Sequence, residues 1–236
     1  MCGRYASSAS QELLTEIFEI DDVAGPLPPA SFNVAPTDEV TAVVERMVDG
    51  NRRRRLVPLR WGLVPSWSSD PSRAASLINA RLETVAEKPA FRRAFAVRRC
   101  LVPADGYFEW YLTDRLDSRG RRVKQPYFIR PADGTMLAMA GLYEFWKDPD
   151  GFWLSTCTVI TTPATDAVGH LHDRMPVTVG VPQWAAWLDP SYTGDPHTLL
   201  TVDATRLTAY PVSTAVNKVA NNSPDLVLPL PEPVGE

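Results

Sequence analysis

The second residue of the chain is a cysteine, in the opening Met1-Cys2-Gly3-Arg4-Tyr5. With Met1 removed, Cys2 carries a free α-amine and a thiol on adjacent carbons, a pair that no internal cysteine offers. An α-amine titrates near pH ~8, so much of it is an unprotonated nucleophile at neutral pH. It attacks an aldehyde to give a Schiff base. The neighbouring thiol can then close onto the imine carbon and form a five-membered thiazolidine. With Met1 retained, the nitrogen is an amide and this route is blocked. Position alone is weak support, because chain ends commonly fray, and the other motifs have to decide.

Several segments pair polar groups with residues that constrain the backbone: Asn33-Val34-Ala35-Pro36, Trp61-Gly62-Leu63-Val64-Pro65-Ser66-Trp67, Ile78-Asn79-Ala80-Arg81-Leu82-Glu83, the stretch Cys100 to Trp110, and His170-Leu171-His172-Asp173-Arg174-Met175-Pro176-Val177. Glu109 lies between Phe108 and Trp110. On a strand it faces away from both, and a carboxyl in an apolar site tends toward a raised pKa suited to proton transfer. His172 titrates near neutrality and is a second proton carrier; a histidine satisfied by Asp173 is the plainer alternative. Asn79 donates and accepts without changing charge, which suits orienting a nucleophile or capping a turn. Arg81 and Arg174 each sit two residues beyond a polar candidate, Asn79 and His172. On a strand that is the same face, where an arginine fork can bring a phosphate beside the chemistry. Trp67 precedes Ser-Ser-Asp-Pro, a loop signature, and a loop tryptophan can stack on an unpaired base.

These groups need a framework, and composition bounds it. With 236 residues, 44% hydrophobic and 22% charged, the chain reads as one large soluble globular domain. No apolar run approaches the roughly 18 residues of a membrane span, and no signal-peptide pattern opens the chain, so a cytoplasmic protein without membrane contact is expected. Cys2, Cys100 and Cys157 are too few and too scattered for a disulfide framework or a zinc site, and His170, His172 and His197 add no third ligand. No metal and no cofactor is expected. Net charge is −4, yet residues 1–130 hold 20 basic and 16 acidic side chains, while residues 131–236 hold 4 and 12. The basic groups are chiefly arginine, 20 of 24, so a local arginine-lined groove for a phosphate backbone is compatible with an acidic protein.

The hydrophobic pattern places a helix over Gln11 to Ile20 and an extended loop over Gly25 to Pro29. Val40 to Met47 and Arg52 to Arg60 read as strands joined at Asp49-Gly50-Asn51, a hairpin signal; the Arg52–Arg55 run reads as a solvated edge-strand face. A helix is predicted over Ala86 to Val97, with Pro89 in its first turns. Strands follow over Arg99 to Pro103, Phe108 to Leu112 and Gln125 to Ile129, with a charged loop over Thr113 to Lys124. Further strands are predicted over Leu137 to Leu142, Phe152 to Ile160 and Leu207 to Val212. Short helices are predicted over Pro163 to Leu171 and Val181 to Leu188, and a loose tail over 229–236. Many strands with scattered helices give an α+β class; the alternation is too irregular for a doubly wound sheet.

Taken together these segments resemble the SRAP family, the SOS response-associated peptidases, whose members shield and process abasic sites in single-stranded DNA. The resemblance rests on six motifs in order: Cys-Gly-Arg at the start, Asn-Val-Ala-Pro, Trp-Gly-Leu-Val-Pro, Asn-Ala-Arg-x-Glu, Gly-Tyr-Phe-Glu-Trp and His-Asp-Arg-Met-Pro. It extends to Tyr210-Pro211-Val212-Ser213 and Val216-Asn217, nearly the whole chain. It implies a single mixed domain over 1–236 with a sheet-rich, barrel-like core, flanking helices and a basic DNA-binding cleft. Cys2 would attack the aldehyde of a ring-opened abasic deoxyribose, with Glu109 as acid/base, Asn79 positioning the Cys2 end and His172 assisting proton transfer. Arg4, Arg81 and Arg174 would bind phosphates around the lesion. Pro36 and Trp67 would stack near a single-strand/double-strand junction, and Thr161 would touch the DNA backbone. The same Schiff-base chemistry can cleave the strand by β-elimination. Some relatives carry a second tryptophan after the Trp67 position; here it is Ser68.

Three function classes follow for a monomer that acts on single-stranded DNA and is nucleoid-associated when bound. The first is an abasic-site crosslinking enzyme. The second is a cysteine peptidase, one that cleaves its own Met1, with Cys2 as nucleophile and His172 as base. The third is a non-covalent single-strand-binding module built on Trp67 and the arginines, which would bind salt-sensitively without a covalent product.

Overall fold

The computed structural model describes residues 2–164, 168–201 and 206–231. In chain order the elements are β1 (Tyr5–Ser7), α1 (Gln11–Phe18), β2 (Asp22–Val23), β3 (Ser31–Val34), β4 (Glu39–Val48), β5 (Asn51–Trp61), β6 (Asn79–Arg81), α2 (Arg92–Val97), β7 (Arg99–Ala104), β8 (Gly106–Leu116), β9 (Arg122–Pro131), β10 (Leu137–Lys147), β11 (Trp153–Pro163), β12 (Arg174–Pro176), α3 (Trp184–Leu188) and β13 (Leu207–Pro211). Strands dominate, helices are few and short, and the class is α+β as expected.

One sheet runs β13-β9-β8-β1-β3 and the other β12-β11-β10-β7-β4-β5-β2. The second closes on itself. The end of β5 pairs in parallel with β11, Arg60 opposite Thr156 and Trp61 opposite Cys157, so β11, β10, β7, β4 and β5 form a five-stranded barrel. Its inner face carries Val40, Ala42, Val44, Leu59, Trp61, Cys100, Val102, Met139, Cys157 and Val159. Its outer face carries Val43, Leu56, Leu101, Ala138, Ala140, Leu142 and Ile160, covered by α1, α2 and α3. Strands buried on both faces read as continuous apolar runs rather than an alternation, and β7 is buried at every position. Gly141 is required inside: a Cβ there would meet Cys100 Sγ at 2.8 Å.

Local chemistry sets several boundaries. Ser10 caps α1 by accepting from the Leu13 N–H, and Glu19 in the left-handed region ends the helix two residues short of Ile20. Asp49 and Gly50 both have positive φ, 49° and 77°, as a two-residue hairpin turn requires. The helix predicted over Ala86 to Val97 shortens to Arg92–Val97: Pro89 has no N–H to give and restrains Lys88, so residues 84–91 form successive turns. The loop predicted over Thr113 to Lys124 is largely paired backbone, because β8 and β9 continue past the core as an exposed ribbon. Asp117 closes its turn by accepting from the Arg119 and Arg121 N–H groups. Pro163 ends β11 rather than starting a helix, and Val168 to Leu171 form a turn; residues 165–167 lie outside the described residues. The tail begins attached, Pro229 bridging Val212 and the Leu230 N–H bonding the Pro211 carbonyl at 2.9 Å; residues 232–236 lie outside the described residues.

The Arg52–Arg55 run is an exposed edge at Arg52 and Arg53 and a covered one at Arg55, and it is not free charge. β2 pairs alongside Arg55 and Leu56, and each arginine meets an acid: Arg52 with Asp189, Arg53 with Asp21, Arg54 with Glu45 and Arg55 with Asp22. No described helix is long and apolar enough to cross a membrane.

Candidate active site

Cys2 precedes β1 and is fully buried. Two strands hold it. On one side β1 pairs antiparallel with β8, Tyr5 opposite Tyr107, and the ladder continues as the Phe108 N–H donates to the Arg4 carbonyl at 2.9 Å. That register brings Glu109 level with the residues just before Arg4. On the other side β6 pairs in parallel with β11, Asn79 opposite Val159 and Arg81 opposite Thr161. Asn79 Nδ2 donates to the Cys2 carbonyl oxygen at 2.8 Å. Beneath lies an apolar floor in which Tyr5 meets Trp61 edge-on, ring centroids 5.0 Å apart.

Burial sets the electrostatics. Glu109 is 3% exposed, and loss of solvent lifts its carboxyl to about 7, so both protonation states are populated at neutral pH. Burial also pushes the Cys2 thiol up strongly, with the Glu109 charge adding to the effect; Cys2 is held as a neutral thiol. Burial lowers the His172 pKa, which favours the neutral ring. His172 Nδ1 lies 3.0 Å from the Arg174 N–H and 2.8 Å from Asp173 Oδ1. The first partner needs an unprotonated Nδ1 and the second a protonated one, so the two are alternatives.

The arginines divide by availability. Arg4 Nη1 donates to Asn33 Oδ1 at 2.7 Å and to the Val216 carbonyl at 2.9 Å, and its guanidinium lies 5.8 Å from the Trp110 ring centre. Arg174 is only 10% exposed: it forks onto both Glu83 oxygens at 2.9 and 3.0 Å and donates to the Thr161 hydroxyl and carbonyl at 3.3 and 2.6 Å. Expected at a phosphate, its guanidinium is here committed to protein partners, because a fork that fits a phosphate fits a carboxylate equally well. Thr161, expected at the DNA backbone, is fully enclosed and its hydroxyl serves Arg174. Arg81 is exposed at the end of β6.

Trp67 is 68% exposed on a turn fixed from behind, where Trp146 Nε1 donates to the Ser68 carbonyl at 2.7 Å. Pro36 is half-buried beside Thr37, whose φ is 76°. Cys2, Asn79 and Glu109 therefore converge. His172 and Arg174 adjoin the β6 edge through Thr161, and Trp67 stands apart on its own turn. Sequence reasoning assigned no role to Asn33, whose amide also bonds the carbonyls of Lys218 and Asn221, nor to Glu83. Both lie inside quoted motifs, and that was the available signal. Among the described residues no His, Cys, Asp and Glu cluster is shaped for a metal ion. A cavity of about 1110 Å³ lies between α1, β9 and the start of β10, lined by groups such as Phe18, Arg130 and Trp184 and not by Cys2.

The family described as "SOS response associated peptidase (SRAP)" matches residues 1–219. The abasic site processing protein YoaM of Bacillus subtilis is 40% identical over 232 residues, covering 96% of this chain and 97% of that protein. The abasic site processing protein YedK of Escherichia coli is 32% identical, covering 98% and 100%. A protein of known X-ray structure from Bacteroides thetaiotaomicron superposes with TM-score 0.81 at 24% identity, over 97% of this chain and all of that one, and shares the fold.

Proposed function

The chain belongs to the SOS response-associated peptidase family, and from that membership and the geometry around Cys2 we propose that it processes abasic sites in single-stranded DNA by forming a covalent link through Cys2. The relatives' names carry the lesion class. The observation that carries the chemistry is the Asn79 hydrogen bond to the Cys2 carbonyl beside a buried Glu109 with a pKa of about 7.

Removal of Met1 exposes the Cys2 amine. Glu109, protonated, donates to the ring oxygen of the abasic deoxyribose as its bond to C1 breaks, and the C1 hydroxyl returns its proton to the Glu109 carboxylate, leaving the aldehyde. The amine adds to that aldehyde and one water leaves, giving the imine. The thiol sulfur then bonds the imine carbon while its proton passes, by way of Glu109, to the nitrogen, and the thiazolidine closes. Asn79 keeps the Cys2 backbone in the orientation that both bonds need, a positioning contribution of the kind that converts encounter into reaction. Elimination from the imine stage, before the thiol closes, would cleave the strand. Arg4 and Arg81 supply cationic charge at the lesion, and Trp67 a stacking face for a neighbouring base or a duplex end.

A thiolate peptidase is less well supported. Such enzymes lower the cysteine pKa with adjacent cations or a helix N-terminus, whereas burial and Glu109 raise it here. The test is incubation of Met1-free protein with a single-stranded oligonucleotide bearing one abasic site. A denaturant-stable adduct is expected, with the combined mass of protein and DNA less one water, and none with Cys2→Ala. Absence of an adduct from the unaltered protein would overturn the reading.

A further inference from the structure

Glu83 stands outside the roles described so far, yet it makes the most complete polar contact at the edge of the site. Its two oxygens take the Arg174 fork, Oε1 from Nη1 at 2.9 Å and Oε2 from Nη2 at 3.0 Å. Thr161 takes two more of the five guanidinium N–H groups, Nε at its hydroxyl and Nη2 at its carbonyl. One N–H on Nη1 remains. Arg174 can therefore offer a phosphate at most a single bond unless Glu83 lets go, which is poor use of a group whose advantage is its fork.

The main chain of the same residue points to a different task. The Arg174 N–H donates to His172 Nδ1 at 3.0 Å. An imidazole that accepts at Nδ1 carries its proton on Nε2. Asp173 Oδ1, 2.8 Å from the same Nδ1, is the competing partner and favours a proton there instead. Which partner wins depends on whether the Arg174 backbone stays in place, and its side chain is anchored at Glu83, just beyond β6, and at Thr161 on β11.

We infer that Glu83 is a positioning residue of the active site: by clamping Arg174 against β11 it holds the Arg174 N–H on His172 Nδ1 and keeps the His172 proton on Nε2. The link runs Glu83, Arg174, His172, and it ties the segment that bears Asn79 to the segment that bears His172. The charged side chains acting on His172 along this path are Asp173 and Arg174 from its own segment, while Glu83 and Arg81 from the β6 side act on Arg174 and on each other. Arg174 then acts through His172 in addition to any contact that its remaining N–H makes with a phosphate. That His172 assists proton transfer is what the family resemblance implies, and its use here rests on the function proposed above; the clamp itself does not.

Two measurements on the full chain separate these layers. The first uses no DNA: nitrogen-15 NMR of the His172 ring in the unaltered protein and in Glu83→Gln. The Nε2–H tautomer is expected in the former, with a shift toward Nδ1–H or the imidazolium in the latter. An identical ring in both proteins overturns the inference. The second uses an abasic oligonucleotide for the adduct rate and its tetrahydrofuran analogue, which cannot react, for affinity. Glu83→Gln is expected to slow the rate at saturating DNA by roughly tenfold and to change affinity for the analogue by less than about twofold. Arg174→Lys, which keeps the charge but loses the fork, should slow the rate similarly, and the double variant no further. A several-fold gain in affinity at undiminished rate would mean that Glu83 merely occupies Arg174 until phosphate arrives, and overturns the inference. If the unaltered protein forms no adduct at all, the proposed function fails while the NMR comparison still decides the clamp. Thermal melting of each variant, and Glu83→Asp as a milder change at the half-exposed Glu83, guard against simple unfolding.

Discussion

The side-chain amide of Asn79 reaches across 77 positions of the chain to hold the carbonyl oxygen of Cys2 at 2.8 Å. The bond grips the peptide that follows the reactive amine and thiol, so it orients both without touching either. Asn79 is itself placed by parallel pairing with Val159, and the N-terminal residue is thereby tied to the barrel wall. Replacing Asn79 by Ala should leave Cys2 present but loosely aimed. The rate of adduct formation at saturating DNA is expected to fall by about tenfold to a hundredfold, while affinity for an unreactive abasic analogue stays within about twofold. Single-turnover kinetics on denaturing gels check it, and an unchanged rate would remove Asn79 from the mechanism.

Glu109 makes a prediction about stability as well as rate. Its folded pKa of about 7 lies above its ordinary value of 4.5. The folded state therefore binds the proton more tightly than the unfolded one, and the cost of burying the charged form is absent below the ordinary value and grows as pH rises toward 7. Above pH 7 that cost is on the order of 3 kcal/mol. Glu109→Gln removes the charge, so its stability relative to the parent should improve between pH 4 and pH 8. Urea unfolding at both values measures the difference; the same difference at each pH counts against the assignment. The parent's adduct rate should also show a limb near pH 7 that the variant lacks.

The thiols give a direct chemical test. Cys2, Cys100 and Cys157 are all free and fully buried, and burial raises the pKa of each. Alkylation needs an accessible thiolate. At pH 8 iodoacetamide should label all three slowly in the folded protein and at ordinary rates in denaturant, as intact-protein mass spectrometry would report. Rapid labelling of Cys2 alone in the folded state would show an activated thiolate and revive the peptidase reading.

Trp67 separates binding from chemistry. It is exposed and its turn is fastened by Trp146, so Trp67→Ala should leave thermal stability unchanged. Loss of one base stack, about 1–3 kcal/mol, should weaken affinity for abasic single-stranded DNA by roughly five- to a hundredfold, while the adduct rate at saturating DNA is retained. Titration with a fluorescent analogue and single-turnover kinetics provide the two halves of the test.

Core packing makes a prediction independent of function. A Cβ at Gly141 would lie 2.8 Å from Cys100 Sγ and 3.1 Å from Val102 Cγ2 inside the closed barrel. Overpacking of this kind typically costs about 1–3 kcal/mol. Gly141→Ala should lower the urea midpoint accordingly, and adding Cys100→Ala should recover part of the loss by vacating the space.

Much of the framework was legible from the chain. The Asp49-Gly50 hairpin, the first helix from Gln11 and the long apolar strands follow from local backbone preference and from burial on one face or two. The ribbon of β8 and β9 was missed because its pairing crosses a highly charged stretch, where exposed hydrogen bonds form without an apolar signature. The helix before Arg92 was overextended because apolar spacing continued through Pro89, where the backbone could not.

The reactive inventory was set by sequence alone: an amine and a thiol on Cys2, a carboxyl at Glu109, a ring at His172, amides and arginines at fixed spacings. These are properties of residue types and short segments, and they do not depend on what lies far along the chain. Tertiary structure decided the state of each group. Pairing of β1 with β8 removed Glu109 from water and brought its pKa to about 7. Pairing of β6 with β11 put Asn79 on Cys2 and enclosed Thr161. A carboxylate 91 positions away took the fork of Arg174, and distant aspartates and a cross-strand glutamate took the arginines of β5. Desolvation and ion pairing depend on which distant surfaces meet, and only the closed fold brings those surfaces together.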